Sequence, residues 1–131
     1  MNGSAFQRWA PRMLSVLRMV SAFMFMANGT QKLFNYPPSP HPMSHLPPLM
    51  LVAGILECFA GLLLLLGLFT RPIAFVLAGE MATAYFTAHA PRGFWPILNK
   101  GELAVLYCFV FLYFAVVGGG AWSVEQSWRR R

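Results

Sequence analysis

The chain has 131 residues, of which 57% are hydrophobic and 11% charged, with a mean hydropathy of +0.54 and a net charge of +6. Soluble domains average about 25% charged residues, so the composition excludes an ordinary soluble domain and predicts an integral membrane protein. The positive charge does not point to nucleic acid, because the basic residues are scattered at segment ends and in the tail rather than along one face.

A helix needs roughly 20 apolar residues to cross a bilayer. Four stretches fit: about Arg12–Phe34, Leu49–Phe69, Pro72–Ala90 and Gly101–Val117. The predicted fold is all-α, a single domain over 1–131 forming an integral membrane four-helix bundle. Arg8, Arg12, Arg71, Arg129, Arg130 and Arg131 fall at the N-terminus, the second loop and the C-terminus. An even number of spans places those three regions on one side. The positive-inside rule then makes both termini cytoplasmic, in a multi-pass protein of a bacterial inner membrane.

The first dozen residues read as an amphipathic lead-in, with Phe6, Trp9 and Pro11 beside Arg8 and Arg12. A cleaved signal peptide is disfavoured, since Arg18 interrupts the apolar run and no small-x-small site follows. On the first helix Arg18, Ser21, Asn28 and Lys32 fall within roughly an 80° arc at 100° per residue. The stripe has Gly29 at its border, and its alignment favours an inward face for Arg18. Lys32 also fits simple snorkelling at a helix end. The loop that follows is proline-rich and cannot be helical. Its His41 and His45 therefore read as exposed loop histidines, not a metal pair.

On the second helix Gly54, Glu57 and Gly61 share a face, and small residues let helices approach closely. Glu57 sits near the bilayer midplane. A carboxylate at that depth is costly and wants a partner. The sequence supports two roles for it: a buried ion pair with Arg18, or a proton-accepting or ligand-binding group. The short connection Phe69-Thr70-Arg71-Pro72 makes the second and third helices antiparallel neighbours.

On the third helix Glu80 and His89 are nine residues apart, about 180° around a regular helix. Glu80 is the other candidate partner for Arg18. Asn99 and Glu102 match a capping-box variant at the start of the fourth helix. The same geometry would set Glu102 at the outer mouth near His89. Phe94 and Trp95 suit the membrane interface. In the tail, glycines break the fourth helix and Ser123 with Gln126 matches a capping box. Cys58 and Cys108 both fall mid-span without a C-x-x-C, and read as small buried hydrophobes.

The ordered set of elements resembles the DoxX family of small bacterial membrane proteins. The resemblance rests on Arg18 followed by Asn28-Gly29-x-x-Lys32-Leu33-Phe34, then Glu57-Cys58-Phe59-Ala60-Gly61, then Leu66-Gly67-Leu68-Phe69-Thr70-Arg71. Met81, Ala84 and His89 extend it. So do Asn99-Lys100-Gly101-Glu102 through Tyr107, and Gly118-x-Gly120-x-x-Ser123. Asn28 stands where the family has histidine, Ala60 where it has glycine and Glu125 where it has aspartate. Glu80 lies outside the pattern. The resemblance implies a four-helix membrane bundle. Some members are subunits linked to thiosulfate:quinone or thiol redox complexes, and looser relatives are cargo receptors or chaperones.

Three functions follow as expectations. The first is a membrane subunit of a quinone- or thiol-linked redox complex. It would have a polar pocket near the outer face, electrons supplied by a periplasmic or membrane partner protein, and a quinone as the candidate cofactor. Lys32, His89 and Tyr107 would donate hydrogen bonds, Glu57 and Glu102 would relay protons, and Asn99 would orient Glu102. The second is a non-catalytic binding or assembly protein in the lipid bilayer, with a homo-oligomer among its expected assemblies. The third is a small-solute or proton pathway. No metal site and no nucleic-acid partner are expected.

Overall fold

The computed structural model describes residues 3–41 and 44–129 and is all-helical among them. The tail arginines Arg130 and Arg131, part of the charge asymmetry that predicts orientation, lie outside the described residues. The chain forms two compact units, one from Met1–Phe69 with Gly119–Arg131 and the other from Thr70–Gly118.

The first unit is built on α1 (Gly3–Phe34) packed against α2 (Pro48–Leu66), with the short α6 (Val124–Arg129) in its C-terminal part. The expected lead-in is not separate, because α1 runs unbroken from Gly3 through Pro11. A proline inside a helix removes one backbone donor, and the Arg12 guanidinium sits 5.0 Å over the Trp9 ring on the same segment. At the other end Asn35 takes a positive φ of 51° and its side chain accepts the Ser39 N–H at 2.9 Å, which turns the chain into the proline-rich loop. Asn tolerates that left-handed conformation better than most residues. Buried positions on α1 (Ser15, Arg18, Ser21, Ala22, Phe25, Gly29) and on α2 (Gly54, Glu57, Ala60, Gly61, Leu64) recur at three- and four-residue spacing. That period is a single face of a helix.

Glycines let α1 and α2 close up. A Cβ on Gly29 would lie 2.9 Å from the Cys58 backbone nitrogen and from the Glu57 Cβ. A Cβ on Gly61 would lie 2.5 Å from Met26 Cγ, with Met26 Cα and Cβ at 3.7 Å. Gly29→Ala is therefore expected to cost about 1–3 kcal/mol through overpacking, and Gly61→Ala less, because the Met26 side chain and not the backbone has to move. Thermal midpoints of the two variants in detergent check this contrast.

Gly67 ends α2 with φ 76°. Its N–H donates to the Leu64 carbonyl and the Leu68 N–H donates to the Leu63 carbonyl, the paired bonds of a Schellman motif. The helix thus stops at Leu66 rather than running to Phe69.

In the second unit α3 (Thr70–Ala84) packs against α5 (Glu102–Val117). Their buried residues are Thr70, Ala74, Leu77, Ala78 and Met81 on α3, and Tyr107, Phe111 and Phe114 on α5. The expected third helix has the right extent but not a regular course. After Ala84 it widens into a π-helical turn, Tyr85–His89, then tightens into a 3₁₀ turn, Ala90–Arg92. A π turn inserts i→i+5 bonds, so the 180° separation of Glu80 and His89, reckoned for regular helix, does not hold. The one-turn α4 (Pro96–Asn99) precedes α5.

By length and composition α1 and α2 are able to cross a membrane, and α5 is a shorter apolar helix. Leu17, Val20, Phe23, Leu51, Val52, Ile55, Phe59, Phe75, Leu106, Phe109 and Val116 are all exposed. So much exposed apolar surface is a liability in water. Lipid tails are its natural solvent.

Candidate functional site

Two buried charges organise the first unit, and their partners differ from the expected ones. Glu57 is 1% exposed and pairs with Lys32, whose Nζ lies 2.6 Å from each carboxylate oxygen. Arg18 is not its partner. The Arg18 guanidinium donates instead to backbone carbonyls: Gly119 through Nη1, and Trp122 at 2.9 Å and Leu65 at 3.4 Å through Nη2. The reason is local. Gly118 and Gly120 both take positive φ, and the resulting turn lays its carbonyls beside α1. Ser15, one turn before Arg18, completes the clamp. Its hydroxyl donates to the Gly119 carbonyl at 3.0 Å and accepts the Trp122 N–H at 2.9 Å. The Ala121 N–H donates to the Pro11 carbonyl at 3.1 Å. Arg18 thus satisfies the end of α2 and the tail, a structural task.

The Lys32–Glu57 pair is open on one side. The Lys32 side chain is 25% exposed and lines a cavity of about 560 Å³ with Gln31, Asn35, Ser39, His41 and Ser44 as its other polar walls. Leu33, Phe34, Leu46 and Met50 supply the apolar part. An ammonium carries three donors. Two meet Glu57, which leaves one for a molecule in the cavity. Cys58 is half-buried beside the pair, close to Gly29.

The remaining expected site residues belong to the second unit. Asn99 is fully buried there, but not as a helix cap. Its side chain donates to the Tyr85 hydroxyl at 3.2 Å and to the Gly93 carbonyl at 2.9 Å, and accepts the Gly101 N–H at 2.8 Å. Gly101 takes the N-cap position of α5 without a side-chain bond, so the expected capping box of Asn99 and Glu102 is not formed. Asn99 therefore does not orient Glu102, which is exposed at the start of α5. His89 Nδ1 lies 3.1 Å from the Asn99 carbonyl. Tyr107 is buried and stacked on Phe111 at 5.4 Å between ring centroids. Glu80 is half-buried on α3. The second unit also holds an open apolar groove of about 750 Å³ along Tyr85, Phe86, Phe94, Trp95, Val105 and Phe109. Neither His89 nor Glu102 lines it.

The DoxX family model matches residues 13–90, more than half of the chain. The chain belongs to the DoxX family. A protein of Haemophilus influenzae described as uncharacterized is 43% identical to it over 130 residues, covering 95% of this chain and 97% of the relative. An uncharacterized membrane protein of Mycobacterium tuberculosis is 28% identical over 157 residues, covering 99% of this chain and 94% of the relative. No solved structure matches. The DoxX match spans both Lys32 and Glu57, and the DoxX chain is a membrane protein.

Sequence reasoning singled out Lys32 and Glu57 but missed their pairing and the cavity's Gln31, Ser39 and Ser44. Lysine at the end of one span and glutamate in the middle of the next are the signal that would have paired them. Antiparallel neighbours bring such positions together.

Proposed function

We propose that this DoxX-family protein is a non-catalytic membrane binding protein that takes a small amphipathic molecule with an anionic or hydrogen-bond-accepting group. The observation that carries this reading is the half-open ion pair. Glu57 holds the Lys32 ammonium in place at the floor of a mixed polar and apolar cavity, and one ammonium proton remains for the ligand. A cavity of this size lies within the range of about 300–1,000 Å³ usual for small-molecule sites. We further propose four spans in one domain of a bacterial inner membrane, with both termini cytoplasmic. A role as subunit of a quinone- or thiol-linked redox complex would need a partner protein to carry electrons, and no feature of the cavity calls for one.

The binding role is tested by extracting the protein with its native surroundings and identifying small molecules by mass spectrometry. A near-stoichiometric small molecule is expected with the wild type and lost from the charge-neutral pair Lys32→Gln/Glu57→Gln. Equal recovery from both proteins refutes it. Topology has its own check in a Cys58→Ala/Cys108→Ala background. Cysteine at Ser39 is expected to react with an impermeant thiol reagent from outside the intact inner membrane, and cysteine at Ser127 only from inside.

A further inference from the structure

We propose that the apolar groove of the second unit is a binding site for an anionic glycerophospholipid, with an acyl chain along the groove and the phosphate at Arg92 and Lys100. The groove is independent of the Lys32–Glu57 cavity and of the function assigned to it. Its lining contains no charged side chain: Met81, Tyr85 and Phe86 come from the third-helix segment, Trp95 from the connection, and Val105 and Phe109 from α5. A wall of this kind suits a hydrocarbon chain and rejects a charged one.

Three features separate it from general lipid-facing surface. The first is shape. The π-helical turn Tyr85–His89 widens the helix at the groove, and π turns recur at functional sites. The second is rigidity. Buried Asn99 ties the Tyr85 hydroxyl to the Gly93 carbonyl, so two segments of the wall are fixed to one another. The third is charge. Arg92 stands between the lining residues Pro91 and Gly93, and Lys100 follows the α4 turn that begins at the lining residue Pro96. Both cations are exposed and neither is in an ion pair among the described residues. With the acidic residue Glu102 counted, the stretch 91–102 still carries a net positive charge. Trp95 and Phe94, edge to face at 5.3 Å, suit the headgroup level. A diacyl lipid with an anionic head matches all three features, and a zwitterionic one matches only the first two.

Trp95 reports on occupancy directly. In a protein carrying Trp9→Phe, Trp122→Phe and Trp128→Phe, Trp95 is the remaining tryptophan. The protein is reconstituted in phosphatidylcholine vesicles, and either dibrominated phosphatidylglycerol or dibrominated phosphatidylcholine is titrated in. Half-quenching of Trp95 is expected at a mole fraction of the anionic lipid lower by about five-fold for each cation engaged. Arg92→Gln is expected to reduce that preference about five-fold, and Val105→Phe to abolish it by filling the groove. If the triple variant does not fold, the difference in quenching between the native protein and Trp95→Phe gives the same reading. Equal quenching by the two lipids, or a preference unchanged in Arg92→Gln/Lys100→Gln, overturns the proposal. So does the absence of quenching together with a disulfide-crosslinked dimer through Cys108, which would assign the groove to a second copy.

Discussion

Lys32→Met is expected to destabilise the protein by about 3–5 kcal/mol, because it leaves the Glu57 carboxylate buried without its counter-charge. The lower end of that range is expected, since Lys32 is partly exposed while Glu57 is not. Glu57→Met leaves the cation free to reach the cavity and its polar walls, and should cost less. The double change Lys32→Met/Glu57→Met should recover much of the loss, as replacing both members of a buried pair by apolar groups often does. Thermal unfolding in detergent of the two single variants and the double variant forms a cycle. A coupling of more than about 1 kcal/mol is expected for residues in direct contact. Additive effects would mean that the pair does not interact.

Arg18→Met is the second large effect. It strips donors from the carbonyls of Gly119, Trp122 and Leu65. The Gly119 carbonyl keeps the Ser15 hydroxyl, while those of Trp122 and Leu65 lose a part-buried donor; a buried polar group left without a partner costs about 1–3 kcal/mol, so the tail from Gly119 onward should detach from α1 before the rest of the unit unfolds. Ser15→Ala removes one donor and one acceptor of the same clamp and should weaken it less. Cysteine introduced at Ser123, which is 7% exposed, measures the release. Its modification should be slow in the parent and fast in Arg18→Met. Arg18→Lys, with one ammonium in place of the guanidinium fork, should lie between them. If all three react at the same rate, Arg18 does not hold the tail.

These two effects mark what could and could not be read from the sequence. Hydrophobic runs separated by proline, glycine and arginine defined the helical segments well, because burial in lipid demands long apolar helices. The tail turn was legible too: the Gln126 N–H bonds the Ser123 hydroxyl at 3.2 Å, as its capping pattern implied. Partners were harder. An arginine that bonds backbone carbonyls leaves no complementary residue in the sequence, so Arg18 was matched with the available acids. Asn99 failed as a cap for a related reason. Lys100 adopts a positive φ of 64°, which inserts a turn between Asn99 and α5 and directs the amide toward Tyr85. The π turn was hidden because apolar periodicity is blind to one inserted residue near a helix end.

The Lys32–Glu57 pair beside the first unit's cavity carries the proposed function. Solid-state NMR on the protein in lipid bilayers tests it most directly. The sequence has only two lysines, Lys32 and Lys100, and four glutamates. In a sample with ¹⁵N-labelled lysine side chains and ¹³C-labelled glutamate carboxyls, one ammonium resonance should show the strong dipolar dephasing of a contact pair. That dephasing should vanish in Glu57→Gln and survive in Glu102→Gln. Dephasing that persists in Glu57→Gln, or strong dephasing of labelled arginine by the Glu57 carboxyl in place of lysine, would contradict the pairing and the site built on it.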